Sequence, residues 1–435
     1  MNYTIKNTTE QIENIGGIIL AGEIFNRIGL NIQATDEIKH PEVLSAMLGL
    51  LVQGRTSYEE IDIYRNSNLF RTALNLNYVP AKETLRLYLK DISKSKTIKS
   101  ILDGINLNML TKCSFTPVIA AKSNYIPVDI DVSPMDNSRT QKDNVSRTYK
   151  GHDGFAPIFA YVGAEGYMLD NELRPGKQHC QKNTPKFLKK IIGTVDTLQS
   201  KTPYLFRLDG GNDSFDTINI LNDSGHFFLI KRNLRKEIKE QWLDTAKSLV
   251  SAETPRKGKE VYTGTITKGH SKCDEMKLDI VFKVTERTID KHGNGLLLPE
   301  IEVETYWTNL YEDAEEVINL YHDHGTSEQF HSELKTDMDV ERLPSRDFGV
   351  NKLILQLAMI AFNTLRFIGQ TALKHKALLP VETNVKRKRL RKVISDLIYI
   401  ACKYVRRSRQ YFIKIWEKNP WGKVFKEVYI ICRTI

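Results

Sequence analysis

Cysteine is scarce: five residues in 435, at positions 113, 180, 273, 402 and 432, odd in number and with no CxxC pair. That rules against a disulfide framework and a zinc ribbon, and a reducing cytoplasm is the compartment that fits. Residues 1–30 lack the basic start and following apolar run of an export signal. A long unbroken apolar run is missing too. The most apolar stretch, LILQLAMIAFNTLRFIGQ, carries Gln356, Asn363 and Arg366, so it reads as a core helix and no membrane partner is expected. No internal repeat or low-complexity tract appears.

Acidic residues run short in one place. Residues 381–435 hold 15 Lys or Arg against 4 Asp or Glu, a surplus of +11, so the net +10 of the whole chain leaves the other 380 residues at −1. A basic end on a near-neutral body points to a polyanion, and Lys386, Arg387, Lys388 and Arg389 in the run KRKRLRK suit backbone phosphates. The competing reading is a solvated basic surface. The remaining composition, 41% hydrophobic and 27% charged, is that of an ordinary folded chain long enough for two or three domains.

Five regions follow from the patterning. Residues 1–118 read as a helical DNA-binding module, with amphipathic stretches at Ile18–Ile28, Pro41–Gln53 and after Pro80. In the third, Lys82, Arg86, Lys90 and Lys94 recur every four residues behind an apolar face of Leu85, Leu89 and Ile92, a basic ridge fit for a helix-turn-helix reader or for a plain surface helix. Residues 119–232 form the first part of an α/β core. There Ile126, Val128, Ile130 and Val132 alternate with Pro127, Asp129 and Asp131 as a strand, PIFAYVGAEGYML reads as a hairpin, a helix opens at Thr184, and YLFRLD reads as a buried strand ending at Asp209. Residues 233–305 are a β-rich insertion, 306–380 return to helix, and 381–435 are a basic helical tail.

The stretch YHDHGTSEQFHSELK sets Tyr321, Glu328 and Lys335 at steps of seven, with His324 four residues before Glu328. On a helix a step of seven returns to within about 20° of its start, so these groups share a stripe. A carboxylate flanked by phosphate donors on a helix, with Asp131 (or its rival Asp129) and Asp209 at strand ends, is the arrangement of a ribonuclease-H-like core. Carboxylates gathered this way make sense with a cation: two or three hold Mg²⁺ against a phosphate, and without metal they repel. Taken singly, an Asp at a strand end is more often a turn or cap, and Asp213 reads as that.

With these residues in hand, the chain resembles bacterial insertion-sequence transposases of the DDE type. Tyr321, His324, Glu328 and Lys335 match the spacing of the YREK-signature branch, with His in place of Arg. The closest likeness is to insertion-sequence family thirteen-eighty, carried by DIDVSPMDNS, SRTYKGHDGFAPIFAYVG, RPGKQHCQKNTP, RLDGGNDS, IKRNL, YHDHGTSEQFHSELK and KRKRLRKVI across nearly the whole chain. The resemblance implies Asp131, Asp209 and Glu328 as catalytic and metal-binding acids for Mg²⁺, with Mn²⁺ as substitute. It implies phosphate contacts at Tyr321, His324 and Lys335, and base stacking by a tryptophan of the insertion, for which Trp242 and Trp307 are the candidates. It also implies cleavage at terminal inverted repeats, joining of 3′-hydroxyls to target DNA, a homodimer assembled on DNA, and a nucleoid location. A catalytically silent DNA-binding derivative and a structure-specific nuclease of the same fold stay open beside it.

Overall fold

A computed structural model describes residues 2–270, 273–408 and 410–435. Its spine is a mixed sheet, running in the order Glu253–Arg256, Lys259–His270, Cys273–Ile289, Gly295–Thr308, Phe227–Lys231, Tyr204–Leu208, Asn124–Val132, Ile158–Val162 and Tyr167–Glu172; Val118–Ile119 pairs alongside Asn124–Val132. Asn124–Val132 pairs antiparallel with Ile158–Val162 and parallel with Tyr204–Leu208, which in turn runs parallel to Phe227–Lys231. The parallel steps are bridged by helices Thr184–Leu198 and Phe215–Ser224, as crossover connections require.

The period-two pattern of the first strand decides what each face meets. Ile126, Val128, Ile130 and Val132 enter the main apolar core. Tyr125, on the opposite face, joins Leu205, Leu229 and Tyr306 in a second apolar cluster under Val317, Ile318 and Leu320 of helix Ala314–His322. Asp129 and Asp131 lie on that second face, beneath the segment that follows the helix.

The β-rich segment carries the same sheet onward. Gly295–Thr308 pairs with Cys273–Ile289 on one side and, through Tyr306, Trp307 and Thr308, with Phe227–Lys231 on the other. Helices Ile18–Arg27, Glu42–Leu51 and Lys82–Ile92 form where the apolar periodicity predicts them, and a further helix, Ile98–Leu110, follows. Among the described residues one helix, Phe348–Lys374, is long and apolar enough to cross a membrane, and 83% of its most apolar window is buried inside the protein.

Two expectations need correction. The tail is only partly helical: after Leu390–Val393 the chain forms a hairpin, Cys402–Arg407 with Gln410–Ile415, and only then helix Gly422–Thr434. The runs CKYVRR and QYFIKI, rich in aromatic and β-branched residues, carry strand patterning, which the density of Lys and Arg masks. The hairpin is completed by Ile12–Glu13 from the other end of the chain, and next to that pairing the N–H groups of Gly16 and Gly17 donate to the carbonyls of Ile400 (2.8 Å) and Ile398 (3.0 Å).

The second correction concerns the YHDH stretch, which is not one uniform helix. Ala314–His322 tightens into a 3₁₀ turn at Asp323–Gly325, resumes as Thr326–Ser332 and widens into a π turn at Glu333–Asp337. Gly325 sits at the join, where its weak helix propensity lets the backbone tighten.

Candidate active site

Parallel register builds the site from the sheet upward. Asp129 is the direct partner of Arg207, and Ile130 of Leu208, so the next step sets Asp131 beside Asp209 at the carboxyl ends of adjacent strands. Neighbouring strands lie about 4.8 Å apart. One cross-strand pair is therefore opposite in charge and the next is alike.

The first pair is closed. Arg207 donates to both Asp129 oxygens, from Nε at 2.6 Å and Nη2 at 2.8 Å, and His324 Nδ1 lies 2.9 Å from Oδ1. Burial works to raise the Asp129 pKa, but the charges of Arg207 and His324 outweigh it and hold it down to about 2. Arg207 Nη1 also donates to the carbonyl of Leu320 at 2.8 Å, tying this ion pair to the overlying helix. Of the rivals for the first acid, Asp129 is thus occupied by the fold.

The second pair is open. Asp131 Oδ2 lies 3.2 Å from His331 Nε2, and Oδ1 accepts from the Val132 N–H at 2.7 Å. Burial raises its pKa, and the hydrogen bond and charge of His331 more than offset this, leaving it lowered. Asp209 moves the other way: burial and the negative charge of Asp131 raise it, against the opposing hydrogen bond from Asn212 Nδ2 (2.6 Å). Gly211 lets the turn fold back over this carboxylate, since a Cβ there would stand 3.2 Å from Oδ2 and 3.3 Å from Oδ1.

Asp131, Asp209 and Glu328 line one cleft of about 900 Å³, together with Tyr321, His324 and Lys335. The shared stripe survives the irregular helix, because a tightened turn before Glu328 and a widened one after it act in opposite senses on the phase. Glu328 is exposed on the cleft wall. Among the described residues no three His, Cys, Asp or Glu side chains already stand at coordinating distance. The donor set nevertheless fits a divalent cation: two repelling carboxylates on the sheet face a third across the cleft.

The neighbouring groups are placed as follows. Tyr321 is half-buried against Tyr306, ring centroids 4.8 Å apart, with the Lys231 ammonium 5.9 Å from its ring. His324 is buried and turned to Asp129. Lys335 donates to Ser133 Oγ (2.6 Å) and the Pro134 carbonyl (2.5 Å), and burial lowers its pKa to about 8.

The family model for the transposase DDE domain, group 1, matches residues 5–434. The chain belongs to this transposase family. Such transposases in general use divalent metal ions. No curated protein matches the chain. Among solved structures, a piggyBac transposase in a synaptic complex with hairpin DNA aligns at 13% identity and a TM-score of 0.44, over 89% of this chain and 77% of that one.

Other candidate residues of the transposase fall outside the cleft. Trp242 is buried against Phe282 and donates to Glu237 Oε2 at 2.9 Å; Trp307 is buried in its strand and donates to Asp213 Oδ1 at 3.2 Å. Both indoles are packed within the protein. Asp213 also accepts from the Asn233 N–H at 3.0 Å, so its carboxylate ties distant segments together, while Ser214 caps the helix that follows. In the basic run, Arg387 pairs with Glu333, Lys388 with Asp396 (2.8 Å) and Arg389 with Asp337 (2.8 Å), while Lys386 stays exposed. Lys82, Arg86 and Lys90 are exposed on their helix, with Arg86 paired to Glu83 at 2.8 Å.

Sequence reasoning missed Arg207 and His331. The signals were present: an Arg inside the apolar run YLFRL, and a histidine seven residues after His324 on the same stripe. Each aspartate of the first strand is met by one of these two histidines.

Proposed function

We propose that this transposase binds the terminal inverted repeats of a bacterial insertion sequence, cleaves DNA at the element ends and joins the freed 3′-hydroxyls to target DNA. The observation that carries the reading is the like-charged pair Asp131 and Asp209 on adjacent strand ends, with Glu328 across the same cleft. Asp131, Asp209 and Glu328 would hold Mg²⁺ or Mn²⁺, which when bound draws charge from the attacking and leaving oxygens of a phosphodiester. The side chains of the protein orient this centre: His331 fixes the Asp131 carboxylate, and Asn212 fixes that of Asp209.

Strand order and register support a ribonuclease-H-like core, and the spacing Tyr321, His324, Glu328, Lys335 supports the YREK branch and family thirteen-eighty. In this reading Tyr321 and Lys335 contact phosphate. His324 differs from the branch in charge and reach: an imidazole lacks the bidentate fork of Arg, and here it is committed to Asp129. Exposed Lys82, Arg86, Lys90 and Lys386 supply further DNA contacts, and two protomers assemble on DNA so that both ends are cut together.

The test uses DNA carrying the element ends with Mg²⁺ or Mn²⁺. Glu328→Ala is expected to bind this DNA like the parent and to leave it uncut. Cutting that persists in the variant with binding unchanged overturns the assignment.

A further inference from the structure

The catalytic cleft borders the turn Val340–Arg342: Glu341 lines it, and the next residue, Arg342, lines a second cleft of about 770 Å³. Cations reach this second cleft from three distant parts of the chain. Arg86 and Lys90 come from helix Lys82–Ile92, Lys142 from the loop after Met135–Asp136, and Arg342 and Arg346 from the segment that precedes helix Phe348–Lys374.

The acids nearby are committed elsewhere. Asp347 caps its helix, accepting from the N–H groups of Gly349 (2.8 Å) and Val350 (3.2 Å), Asp339 accepts from Thr56 Oγ1 (3.3 Å), and Glu59 accepts from Ser57. Arg86 has Glu83. Among the described residues no carboxylate lies within ion-pair distance of Lys90, Lys142, Arg342 or Arg346. Lys142 is held by Asn137 Oδ1 at 2.8 Å, a neutral partner. Burial, and then the charge of Arg342, lower its pKa. Five cations thus line the cleft against the three carboxylates of Glu59, Asp339 and Asp347, and the surplus is positive where the neighbouring cleft gathers acids.

We infer that this cleft seats the phosphodiester backbone of duplex DNA flanking the bond cleaved in the catalytic cleft. The inference rests on the reading of the chain as a DNA-cutting transposase and adds where its substrate runs. A backbone is favoured over a free nucleotide because Tyr58, the aromatic residue in the lining, is buried and offers no platform for a base. The cleft also joins the ridge of the N-terminal helices to the catalytic face, so one duplex bridges both.

The full-length protein is titrated with a fluorescent duplex of random sequence over a range of salt concentrations. Arg342→Gln with Arg346→Gln is compared with the parent and with Lys257→Gln plus Lys291→Gln, which removes the same charge from exposed turns outside the cleft. Taking one cation away from a bound phosphate lowers the slope of log K against log salt by about 0.9, so the cleft variant should fall by about 1.8, and the control by much less. An unchanged slope in the cleft variant, or an equal fall in the control, overturns the inference. Competition by inorganic phosphate beyond its ionic strength also overturns it, because the cleft would then be a small-anion site. If the slopes separate as expected but the parent cuts no DNA carrying element ends, the cleft stands and the catalytic reading fails. A parent that binds no duplex removes both.

Discussion

Arg207 takes both oxygens of Asp129, at 2.6 and 2.8 Å, and this leaves Asp131 as the carboxylate available one register step along the strand. Asn in place of either aspartate should therefore have opposite consequences. Asp129→Asn leaves a buried guanidinium uncompensated and should cost about 3–5 kcal/mol of stability. Asp131→Asn should leave the urea midpoint near the parent value while DNA cutting falls by at least about 100-fold, the upper loss seen when even an outer-shell partner of a metal is removed. The reverse pattern, with Asp129→Asn stable and inactive, would assign catalysis to Asp129.

Divalent ions should stabilise the protein through Asp209. Its pKa is raised by burial and by Asp131, so the folded state binds its proton more tightly than the unfolded chain does. Stability from this group is present at low pH and is lost as pH rises from the ordinary carboxylate range through the raised value, leaving a strained pair at neutral pH. A cation at about 100 times its Kd should return about 2.7 kcal/mol. Thermal unfolding at neutral pH with and without Mn²⁺ measures this, and Asp209→Asn should respond much less. An equal rise in Tm for the parent and the variant counts against a cation at these carboxylates.

Lys335 gives the site a pH limit. Burial lowers its pKa to about 8, so the ammonium is lost as pH rises through that value, whereas a guanidinium would persist. DNA affinity should weaken between pH about 7 and about 9, and Lys335→Arg should flatten that decline. Parallel pH profiles for the two proteins would show that Lys335 does not touch phosphate.

Glu333 locks the helix that carries Glu328. It accepts from Arg366 Nη2 at 2.9 Å and from the Leu390 N–H at 2.9 Å, and it pairs with Arg387, with both Glu333 and Arg366 buried. Glu333→Gln should cost about 3–5 kcal/mol, since it strands a buried charge. Arg86→Gln, which breaks a pair with Glu83 that is exposed on both sides, should cost under about 1 kcal/mol. Similar urea midpoints for the two variants would contradict this division.

What the sequence disclosed depends on the range of the interaction. Asp131 and Asp209 were legible because a period-two strand and a strand-ending Asp are local patterns, and parallel register does the rest. The break at Gly325 was hidden by a sevenfold spacing that survives it. The fate of KRKRLRK was not legible, because Glu333 and Asp337, which hold Arg387 and Arg389, lie on a helix some fifty residues earlier. Nothing local distinguishes a cation bound by the fold from one left for DNA. Which of Asp129 and Asp131 the fold takes into an ion pair was equally closed to inspection, since that depends on an arginine 78 residues away.

Backbone hydrogen bonds from Gly16 and Gly17 to Ile400 and Ile398 knot the first helix to the hairpin near the opposite terminus. A Cβ at Gly17 would come within 1.8 Å of the Leu397 carbonyl oxygen, so the crossing tolerates no larger residue. The helical region is consequently no detachable reader that could be excised and grafted elsewhere. A protease cut in the 29–41 loop should yield two pieces that still elute as one particle, and deleting the hairpin should unravel the first helix along with it.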